Sequence, residues 1–446
     1  MSRRTVPPSM PASTPPTTSP AGAQADGVPA RPAGFGGNLG ALRYPLYRRY
    51  WLGSLGSVGG TQFVTLASGW LVVFELGGSP LDLGYIGGAT ALPTIVVNLF
   101  GGVLADRMDR RLLLLATSLL TALLLSVLAA LDASGAVSIW HVVAISAALG
   151  LVYGVDWPVR NAFFPQLIEP EQMISAVALN SIMWQATRIV SPAIGGVAIA
   201  VFGTAPVIAA GALGFAAMFL VLLTFEVPAP PSTARREVLR ELTEGVAYIA
   251  RTRLFAALIL LTYATMFFGL AYIFLMPLMA AELDVGSASL GFLYSMLGFG
   301  AVSGTLITFR LQRVASLGWI TLGGSLASSA FILAFALSPA YALSAALVYG
   351  AGLSNSIFMI TSMTALQLRV PDALRGRVMG IHSITFSLIA LGGLFGGAVA
   401  NVSDVRVAVA LGALLLAGTT LAVAITQPEV RHLRAQTTAP STTSAA

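Results

Sequence analysis

The chain has 446 residues, of which 56% are hydrophobic and only 9% are charged. This balance excludes a soluble globular protein, because too few polar side chains remain to cover its surface, and it indicates a lipid bilayer as the solvent. The net charge of +6 is carried by arginines that lie in small groups between apolar runs, so nucleic-acid binding is not expected.

Metal and thiol chemistry are not expected either. The chain contains no cysteine, and its three histidines, His141, His382 and His432, are far apart in the sequence. This set offers neither disulfides nor a typical metal-ligand cluster. No nucleophile constellation or phosphate-binding loop is present, so the sequence predicts neither an enzyme nor a bound cofactor.

The two ends of the chain are predicted to be tails. Residues 1–40 are rich in Pro, Ser, Thr, Ala and Gly and lack the apolar stretch of a signal peptide, so we expect a disordered cytoplasmic segment. Residues 427–446 are expected to form a second cytoplasmic tail.

Between the tails, the sequence predicts twelve transmembrane helices and hence an all-α membrane protein. A spanning helix needs about 20 mostly apolar residues, and such runs recur here with short polar interruptions. They are expected at 51–76, 83–105, 112–131, 138–159, 176–200, 205–225, 254–280, 288–309, 317–337, 340–364, 377–400 and 404–426.

The longest polar interruption divides these helices six and six. Residues 226–253 contain three prolines followed by clustered Arg and Glu residues, which predicts a cytoplasmic linker with an amphipathic surface helix. Two six-helix bundles are therefore expected, at 41–225 and 254–426.

The arginines predict the side of the membrane on which each loop lies. Cytoplasmic loops carry an excess of positive charge, and the even-numbered loops hold Arg107, Arg110, Arg111, Arg160, Arg310, Arg313, Arg369, Arg375 and Arg377. The odd-numbered loops carry acidic residues, with Arg406 as their single arginine. Both termini are therefore expected in the cytoplasm. We further expect the chain to lie in a bacterial inner membrane and to be a monomer.

The two halves share a sequence pattern. A shift of 201 residues places the pair Gly195–Gly196 on Gly396–Gly397, and a shift of 202 places Arg111 on Arg313. Two six-helix units in the same orientation, related by an axis along the membrane normal, are typical of one class of secondary transporter.

The run from Gly101 to Arg111, GGVLADRMDRR, resembles the loop 2–3 signature of the major facilitator superfamily. Asp109 replaces the glycine that usually precedes the paired arginines. The matching positions are Gly102, Asp106, Arg107, Arg110 and Arg111.

The resemblance implies a gating role for this signature. Asp106 would face the start of span 11 in the outward-facing state, because an acid suits the positive N-terminus of a helix. Asp156, near the cytoplasmic end of span 4, is the expected partner of Arg110. In the second half Thr308 occupies the position that corresponds to Asp106, so the gating contact would form in the first half only. Alternatively, these arginines have no gating role and only determine on which side of the membrane the loop lies.

A second signature lies in span 5. The run from Ser191 to Gly196, SPAIGG, resembles the GPxxGG element of exporters in this superfamily, with Ser191 in place of the first glycine. Pro192 removes a backbone donor, while Gly195 and Gly196 permit close packing. The alternative is an ordinary proline–glycine packing site. Over 42–426 the chain is similar to the branch that contains enterobactin-type siderophore exporters and macrolide or multidrug efflux proteins.

Arg188 is the most informative single residue. It lies near the middle of span 5, where a charge costs about 2.5–3.5 kcal/mol on insertion scales, so it should face a cavity or a partner rather than lipid. Asn180, Trp184 and Arg188 recur at intervals of four on one helical face, with Gln185 beside them. This face is expected to line a central cavity in which Arg188 binds an anionic substrate; a structural hydrogen bond is the alternative.

Other polar or aromatic residues inside the predicted spans are further candidates for the cavity wall, although each could instead join helices or anchor them at the interface. They are Gln62, Trp70, Tyr263, Tyr272, Asn355 and His382. No carboxylate is predicted near mid-membrane. Proton coupling is therefore implied only by the family resemblance, with Glu75, Asp156 and His382 as the candidate carriers.

The function that the resemblance implies is proton-coupled export of a small amphipathic molecule, such as a siderophore or an antibiotic, by alternating access. An uptake transporter of the same fold and a membrane sensor that no longer transports remain as alternatives. The expected partners are the lipid bilayer, a small-molecule substrate and protons.

Overall fold

A computed structural model describes residues 40–226, 251–370 and 384–433, together with residues 247 and 249. For residues 99–107, 313, 314 and 384 it describes the backbone alone. Within these ranges eleven helices are long and apolar enough to cross a membrane, and one shorter apolar helix accompanies them.

Each helix has the number of the predicted membrane span to which it corresponds. They are α1 (Pro45–Glu75), α2 (Pro80–Arg107), α3 (Arg110–Ala133), α4 (Ile139–Phe163), α5 (Met173–Phe202), α6 (Thr204–Leu223), α7 (Arg253–Glu282), α8 (Ser287–Val314), α9 (Leu317–Ala336), α10 (Tyr341–Arg369), α11 (Ser387–Val402) and α12 (Val405–Thr426). The predicted all-α membrane fold is confirmed, and most helix ends lie within a few residues of the predicted ones.

Several predictions fall outside the part of the chain that the structure describes. They concern the tail at 1–39, most of the linker, Arg375, Arg377 and His382. At Gly102, Asp106, Arg107 and Arg313 only the backbone is described. The division into tails, linker and two bundles stays a prediction.

Two helices contain a π-helical turn of five residues. One, Leu71–Glu75, ends α1, and the other, Thr265–Gly269, interrupts α7. A π-turn rotates the side chains that follow it relative to a regular helix, and such turns are frequent at functional sites. The turn in α7 contains Met266 and directly precedes Leu270, and both residues line the central cavity described below.

Most helix packing in the described residues is between helices of the same half of the sequence. In the first half α2 packs on α4, while α6 packs on both α1 and α3; in the second half α10 packs on α8 and α9. Extensive contacts between the halves run along α5 with α8 and along α2 with α11. These two interfaces frame the space between the halves.

We call the end of the bundle where α1 begins and α12 ends the proximal end, and the opposite end the distal end. The halves contact each other tightly in the distal part. Ser287 Oγ of α8 donates a hydrogen bond to the Gly196 carbonyl oxygen of α5 at 3.0 Å. A Cβ placed on Gly69 of α1 would lie 2.8 Å from Pro277 Cγ of α7. The distal end is therefore closed.

Glycine 203 makes the tight connection between α5 and α6. Its φ of 83° lies in the left-handed region that glycine adopts without strain. Because no further residue separates the two helices, the distal ends of α5 and α6 are held side by side.

Candidate functional site

A central cavity of about 380 Å³ lies between the two halves, midway along the bundle. The first half contributes α1 and α5 to its wall, and the second half contributes α7, α8, α10 and α11. Four of the residues predicted for this wall are brought together there: Gln62, Gln185, Arg188 and Asn355.

Arg188 brings an uncompensated positive charge into this cavity. Its side chain is exposed to the cavity, and its guanidinium makes no hydrogen bond or ion pair with any residue that the structure describes. None of the described residues that line the cavity is an Asp or a Glu. A charge inside a membrane-spanning segment is costly unless water or a counter-ion meets it. The arrangement therefore suits a ligand that supplies a negative charge, and the guanidinium fork would hold a carboxylate or phosphate in two-point contact.

Neutral hydrogen-bonding groups surround Arg188. The amides of Gln62, Gln185 and Asn355 each offer donors and an acceptor. Asn355 Oδ1 is buried and accepts no hydrogen bond from any described residue. The cavity thus combines one charge with unfilled neutral hydrogen-bonding capacity.

A second compartment of about 140 Å³ continues the cavity toward the distal end. It shares Thr65, Ile273 and Tyr294 with the central cavity. Its wall is mainly apolar and aromatic, and its aliphatic hydroxyls are those of Thr61, Thr65, Ser68, Thr90 and Ser146. The two compartments together suit an amphipathic molecule whose charged end lies at Arg188.

The sequence analysis predicts few of the residues that the second half contributes to the cavity wall. Met266 and Leu270 lie four residues apart on α7, and Asn355 and Met359 lie four apart on α10. This spacing places each pair on one helical face. The signal was therefore present, but apolar residues at helical spacing occur in every packed helix and do not mark a cavity by themselves.

Trp184 and Asn180 do not line the central cavity, contrary to the prediction. Trp184 lines a proximal pocket of about 130 Å³ within the first half, and Asn180 lines a smaller pocket beside it. The helical rise of 1.5 Å per residue explains the difference. Asn180 is eight residues from Arg188, so it lies about 12 Å nearer the proximal end.

Three predicted aromatic residues also lie away from the central cavity. Trp70 stacks on Phe74 near the distal end of α1, with ring centroids 3.8 Å apart. Tyr272 is fully buried and packs edge-on against Phe335 at 5.9 Å. Tyr263 packs against the hydrophobic core of the second half. Large side chains on α1 and α7 are used here to fill space between helices.

The paired arginines of the loop 2–3 signature bind helix ends of their own half. Arg110 Nη1 donates to the Ala162 carbonyl oxygen of α4 at 2.9 Å. Arg111 donates from Nε and Nη2 to the carbonyl oxygens of Leu222 and Leu223 on α6, both at 2.9 Å. The last carbonyls of a helix lack intrahelical partners and carry partial negative charge, so these contacts stabilise the proximal ends of α4 and α6. The gating role of the signature stays a prediction.

Asp109, the departure from the usual signature, caps α3. Its carboxylate accepts hydrogen bonds from the backbone N–H groups of Arg111 at 2.8 Å and Leu112 at 3.4 Å. Asp is among the best N-cap residues. The substitution therefore provides a cap that glycine would not.

The expected pair of Asp156 with Arg110 is wrong. The carboxylate of Asp156 forms an ion pair with Arg160, one turn later on α4, and accepts a hydrogen bond from Thr117 Oγ1 at 2.7 Å. The apolar pattern predicts that α4 ends at residue 159, which places Arg160 in a loop. The helix continues to Phe163, and this extra turn brings Arg160 onto the same face as Asp156.

The span 5 signature packs α5 against two neighbours at once. A Cβ on Gly196 would lie 2.5 Å from the Ser287 carbonyl oxygen of α8, while a Cβ on Gly195 would lie 3.0 Å from the ring of Phe63 on α1. Pro192 lines the central cavity. The signature thus joins the cavity wall to the closed distal interface.

Glu75 takes part in a cluster at the distal end of the first half. Thr204 Oγ1 of α6 lies 2.9 Å from Glu75 Oε2 and 2.6 Å from Asp132 Oδ2 of α3. The hydroxyl has one proton and contacts two carboxyl groups, so it bridges the ends of α1, α3 and α6. Glu75 and Asp156 lie near opposite ends of the bundle.

Comparison with known proteins agrees with this architecture. A family model described as a transmembrane secretion effector of the major facilitator type matches residues 36–444. A stretch of 274 residues is 28% identical to the enterobactin exporter EntS of Escherichia coli (strain K12), covering 60% of this chain and 65% of that protein. The chain therefore spans just under two thirds of the length of that relative.

Solved structures of transporters share the fold. The nucleoside transporter NupG superposes with a TM-score of 0.68 at 15% identity, over 85% of this chain and 98% of that one. A bacterial homologue of the human lysosomal transporter Spinster, in an inward-facing and occupied conformation, gives 0.69 at 14% identity, over 88% and 99%.

Proposed function

We propose that this chain, which belongs to the transmembrane secretion effector family of the major facilitator superfamily, exports a small amphipathic anion. As a member of this family it is a transporter and not an enzyme. The proposal concerns the finer points: the charge of the substrate, the direction of transport and the driving force.

The observation that carries the proposal is the guanidinium of Arg188, which has no hydrogen-bond or ion-pair partner among the residues that the structure describes. A transporter must release its substrate as well as bind it, so a single charge with neutral amides around it suits reversible binding. The apolar distal compartment beside it favours a substrate with a hydrophobic part. An amphipathic anion satisfies both compartments, whereas a cation would be repelled by Arg188.

Alternating access explains the arrangement of the two halves. The described contacts between them are tightest in the distal part, at Gly196 with Ser287 and at Gly69 with Pro277. Such a closed distal end lets substrate enter from the proximal side. With both termini in the cytoplasm, substrate would load from the cytoplasm of a bacterial cell and leave when the halves rock open distally. The relative named as an enterobactin exporter supports this direction.

The driving force is proposed to be the proton gradient, exchanged against the substrate by a single copy of the chain. An export cycle that accumulates its substrate against a concentration gradient needs an energy source, and the sequence contains no nucleotide-binding loop. Carboxyl groups inside the first half, above all Asp156, provide groups able to carry a proton.

The test begins with binding, because the natural substrate is unidentified. Purified protein is screened by thermal shift against amphipathic aromatic anions and cations of matched size, for example fluorescein and ethidium. We expect stabilisation by anions only, and its loss in Arg188→Gln. The best anion is then offered to inside-out vesicles under a pH gradient, where accumulation is expected. Stabilisation by cations alone, or accumulation only in right-side-out vesicles, would contradict export of an anion; the second outcome would favour uptake.

A further inference from the structure

Tyr294 of α8 separates the central cavity from the distal compartment. The two cavities share the wall residues Thr65, Ile273 and Tyr294, so these residues form the partition between them. Tyr294 is the aromatic member of this set, and its hydroxyl donates a hydrogen bond to the Ile273 carbonyl oxygen of α7 at 2.8 Å. The ring is therefore held in place by a bond at its outer end.

The acceptor of this bond is a carbonyl group that lacks its usual donor within the helix. Pro277 lies four residues after Ile273 inside α7 and has no N–H group to donate. A backbone carbonyl without a partner is costly in a membrane-spanning segment, and the Tyr294 hydroxyl supplies the missing donor. A side chain of α8 thus replaces a backbone hydrogen bond of α7.

The same stretch of α7 is a weak point in the helix. Its π-helical turn ends at Gly269, and Pro277 interrupts the hydrogen bonding again eight residues later. Helices usually bend at prolines and at π-turns. Ile273 lies midway between the two interruptions, so the bond from Tyr294 fixes the segment about which the distal part of α7 can bend.

The distal part of α7 belongs to the closed end of the bundle. Pro277 packs against Gly69 of α1, where a Cβ would lie 2.8 Å from Pro277 Cγ. Both of these residues also line the distal compartment. The bond between Tyr294 and Ile273 is therefore one helical turn from a contact that closes the distal end.

A ligand bound at Arg188 reaches this partition when it is long enough. Gly298 of α8 packs on the Arg188 carbonyl oxygen, which lies 3.1 Å from a Cβ placed on this glycine. Tyr294 is four residues from Gly298 toward the distal end, a rise of about 6 Å. A short anion at Arg188 thus stays in the central cavity, whereas a longer one has to displace the Tyr294 ring to enter the distal compartment.

The corresponding position in the first half has no side chain. Gly291 of α8 and Gly84 of α2 make equivalent contacts at the distal interfaces between the halves. Three residues after these glycines, α8 has Tyr294, whereas α2 has Gly87, whose Cβ position lies 2.7 Å from the Ala390 carbonyl oxygen. The repeated helix packing therefore does not require a tyrosine, and its presence beside the cavity needs another explanation.

We propose that Tyr294 is the residue by which this protein distinguishes long from short substrates. The inference rests on the proposed export of an amphipathic anion. A substrate that extends from Arg188 into the distal compartment displaces the ring and breaks its bond to the Ile273 carbonyl. The distal part of α7 is then free to bend away from α1, and the distal end opens. A short anion leaves the bond intact and the distal end closed.

Tyr294→Phe tests this proposal, because it keeps the ring and removes only the hydroxyl. Tyr341→Phe is the matched control. The Tyr341 hydroxyl of α10 also donates to a backbone carbonyl of a neighbouring helix, that of Ser289 on α8 at 3.1 Å. Tyr341 lines neither compartment. The difference between the two variants therefore isolates the effect of the partition.

Two rigid sulfonates of different length, benzenesulfonate and biphenyl-4-sulfonate, serve as probes in equilibrium binding. Tyr294→Phe should bind the longer sulfonate about two- to tenfold more tightly, because this ligand no longer has to break a hydrogen bond. The affinity for benzenesulfonate should not change, and Tyr341→Phe should match the wild type with both probes. An equal gain for both sulfonates, or no gain for the longer one, would overturn the proposal.

The distance across the distal end supplies a second signal. The chain lacks cysteine, so spin labels can be placed on Phe202 of α5 and Ala281 of α7, which are exposed near the distal end. In the wild type, biphenyl-4-sulfonate should lengthen the distance between the labels and benzenesulfonate should not. Without any ligand, Tyr294→Phe should already populate the longer distance, and Tyr341→Phe should not.

Failure of this proposal can be told apart from failure of the proposed anion export. If Arg188→Gln binds both sulfonates as tightly as the wild type, or if neither sulfonate binds the wild type, the anion site is wrong. The ligand-free distances still decide on Tyr294 in that case. Equal ligand-free distances in Tyr294→Phe and Tyr341→Phe would show that Tyr294 does not hold the distal end closed. The same conclusion about length would follow if benzenesulfonate opened the distal end as far as biphenyl-4-sulfonate.

Discussion

Gly196 and Gly397 make the same contact in the two halves of the chain, each against a helix of the other half. A Cβ on Gly196 would lie 2.5 Å from the Ser287 carbonyl oxygen of α8, and a Cβ on Gly397 would lie 2.6 Å from the Pro80 carbonyl oxygen of α2. The next turn repeats the pattern, with Gly291 and Gly84 each 3.0 Å from these positions. The sequence repeat thus corresponds to a twofold distal closure.

The first prediction is that Gly196→Ala weakens this closure. A methyl group at 2.5 Å from a backbone oxygen cannot be accommodated unless the helices separate. A single cysteine at Ser68, in the distal compartment, should therefore react several-fold faster with a membrane-impermeant thiol reagent added from the distal side. Gly418→Ala is the matched control, because no atom lies within 4 Å of its Cβ position. Equal rates in both variants would show that the distal interface is not the barrier.

The second prediction concerns Arg188. Charge-assisted hydrogen bonds are worth about 1.5–3 kcal/mol, which corresponds to about a tenfold to hundredfold loss of affinity when they are removed. We expect such a loss for an anionic ligand in Arg188→Gln and a smaller one in Arg188→Lys, measured by equilibrium binding. Arg310→Gln changes an exposed arginine outside the cavity and should leave affinity unchanged. Equal affinities for Arg188→Gln and the wild type would place the anion site elsewhere.

The third prediction is that Thr204→Val destabilises the distal end of the first half. Valine keeps the branched shape but removes the hydroxyl between Glu75 and Asp132, so two carboxyl groups lose their common partner. Because Glu75 is exposed and Asp132 is only partly buried, we expect the loss of one net hydrogen bond, about 0.5–1.5 kcal/mol in unfolding free energy. Thr419→Val removes an exposed hydroxyl that bonds only its own helix, to Leu415. A melting temperature equal in both variants would argue against the bridge.

The fourth prediction tests the cap of α3. Replacing an N-cap Asp by Ala costs about 0.5–2 kcal/mol, whereas replacing it by Gly costs only a few tenths. Asp109→Ala should therefore lower the unfolding free energy more than Asp109→Gly, and Asp109→Asn should be nearly neutral. Chemical or thermal unfolding in detergent measures the order. If glycine were the most damaging substitution, the capping explanation would be wrong.

The helices could be predicted from the sequence because their signal is long. About 20 apolar residues in a row have few other interpretations, and α9, for example, was expected at 317–337 and is found at Leu317–Ala336. The exact end of a helix is harder to predict when it depends on a single turn. Arg160 was misplaced because the last turn of α4 carries polar residues and therefore reads as a loop.

The cavity could be predicted only in part. Arg188 was identified because a charge inside a span is unusual and needs a polar surrounding. Trp184 and Asn180 were assigned to the same cavity because they share its helical face, but the distance along the axis separates them. Nothing in the sequence identifies Tyr294 and Met359 as cavity residues. Their role depends on which helices lie opposite them, and tertiary packing determines this.

Alternating access between two ends of one cavity is the central claim, and paired distances test it most directly. Spin labels on Phe202 and Ala281 report the distal end, and labels on Ile174 of α5 and Phe309 of α8 report the proximal end. Under a pH gradient with the best-binding anion, we expect the distal distance to lengthen as the proximal distance shortens. If both distances stayed constant, or lengthened together, the account would be contradicted.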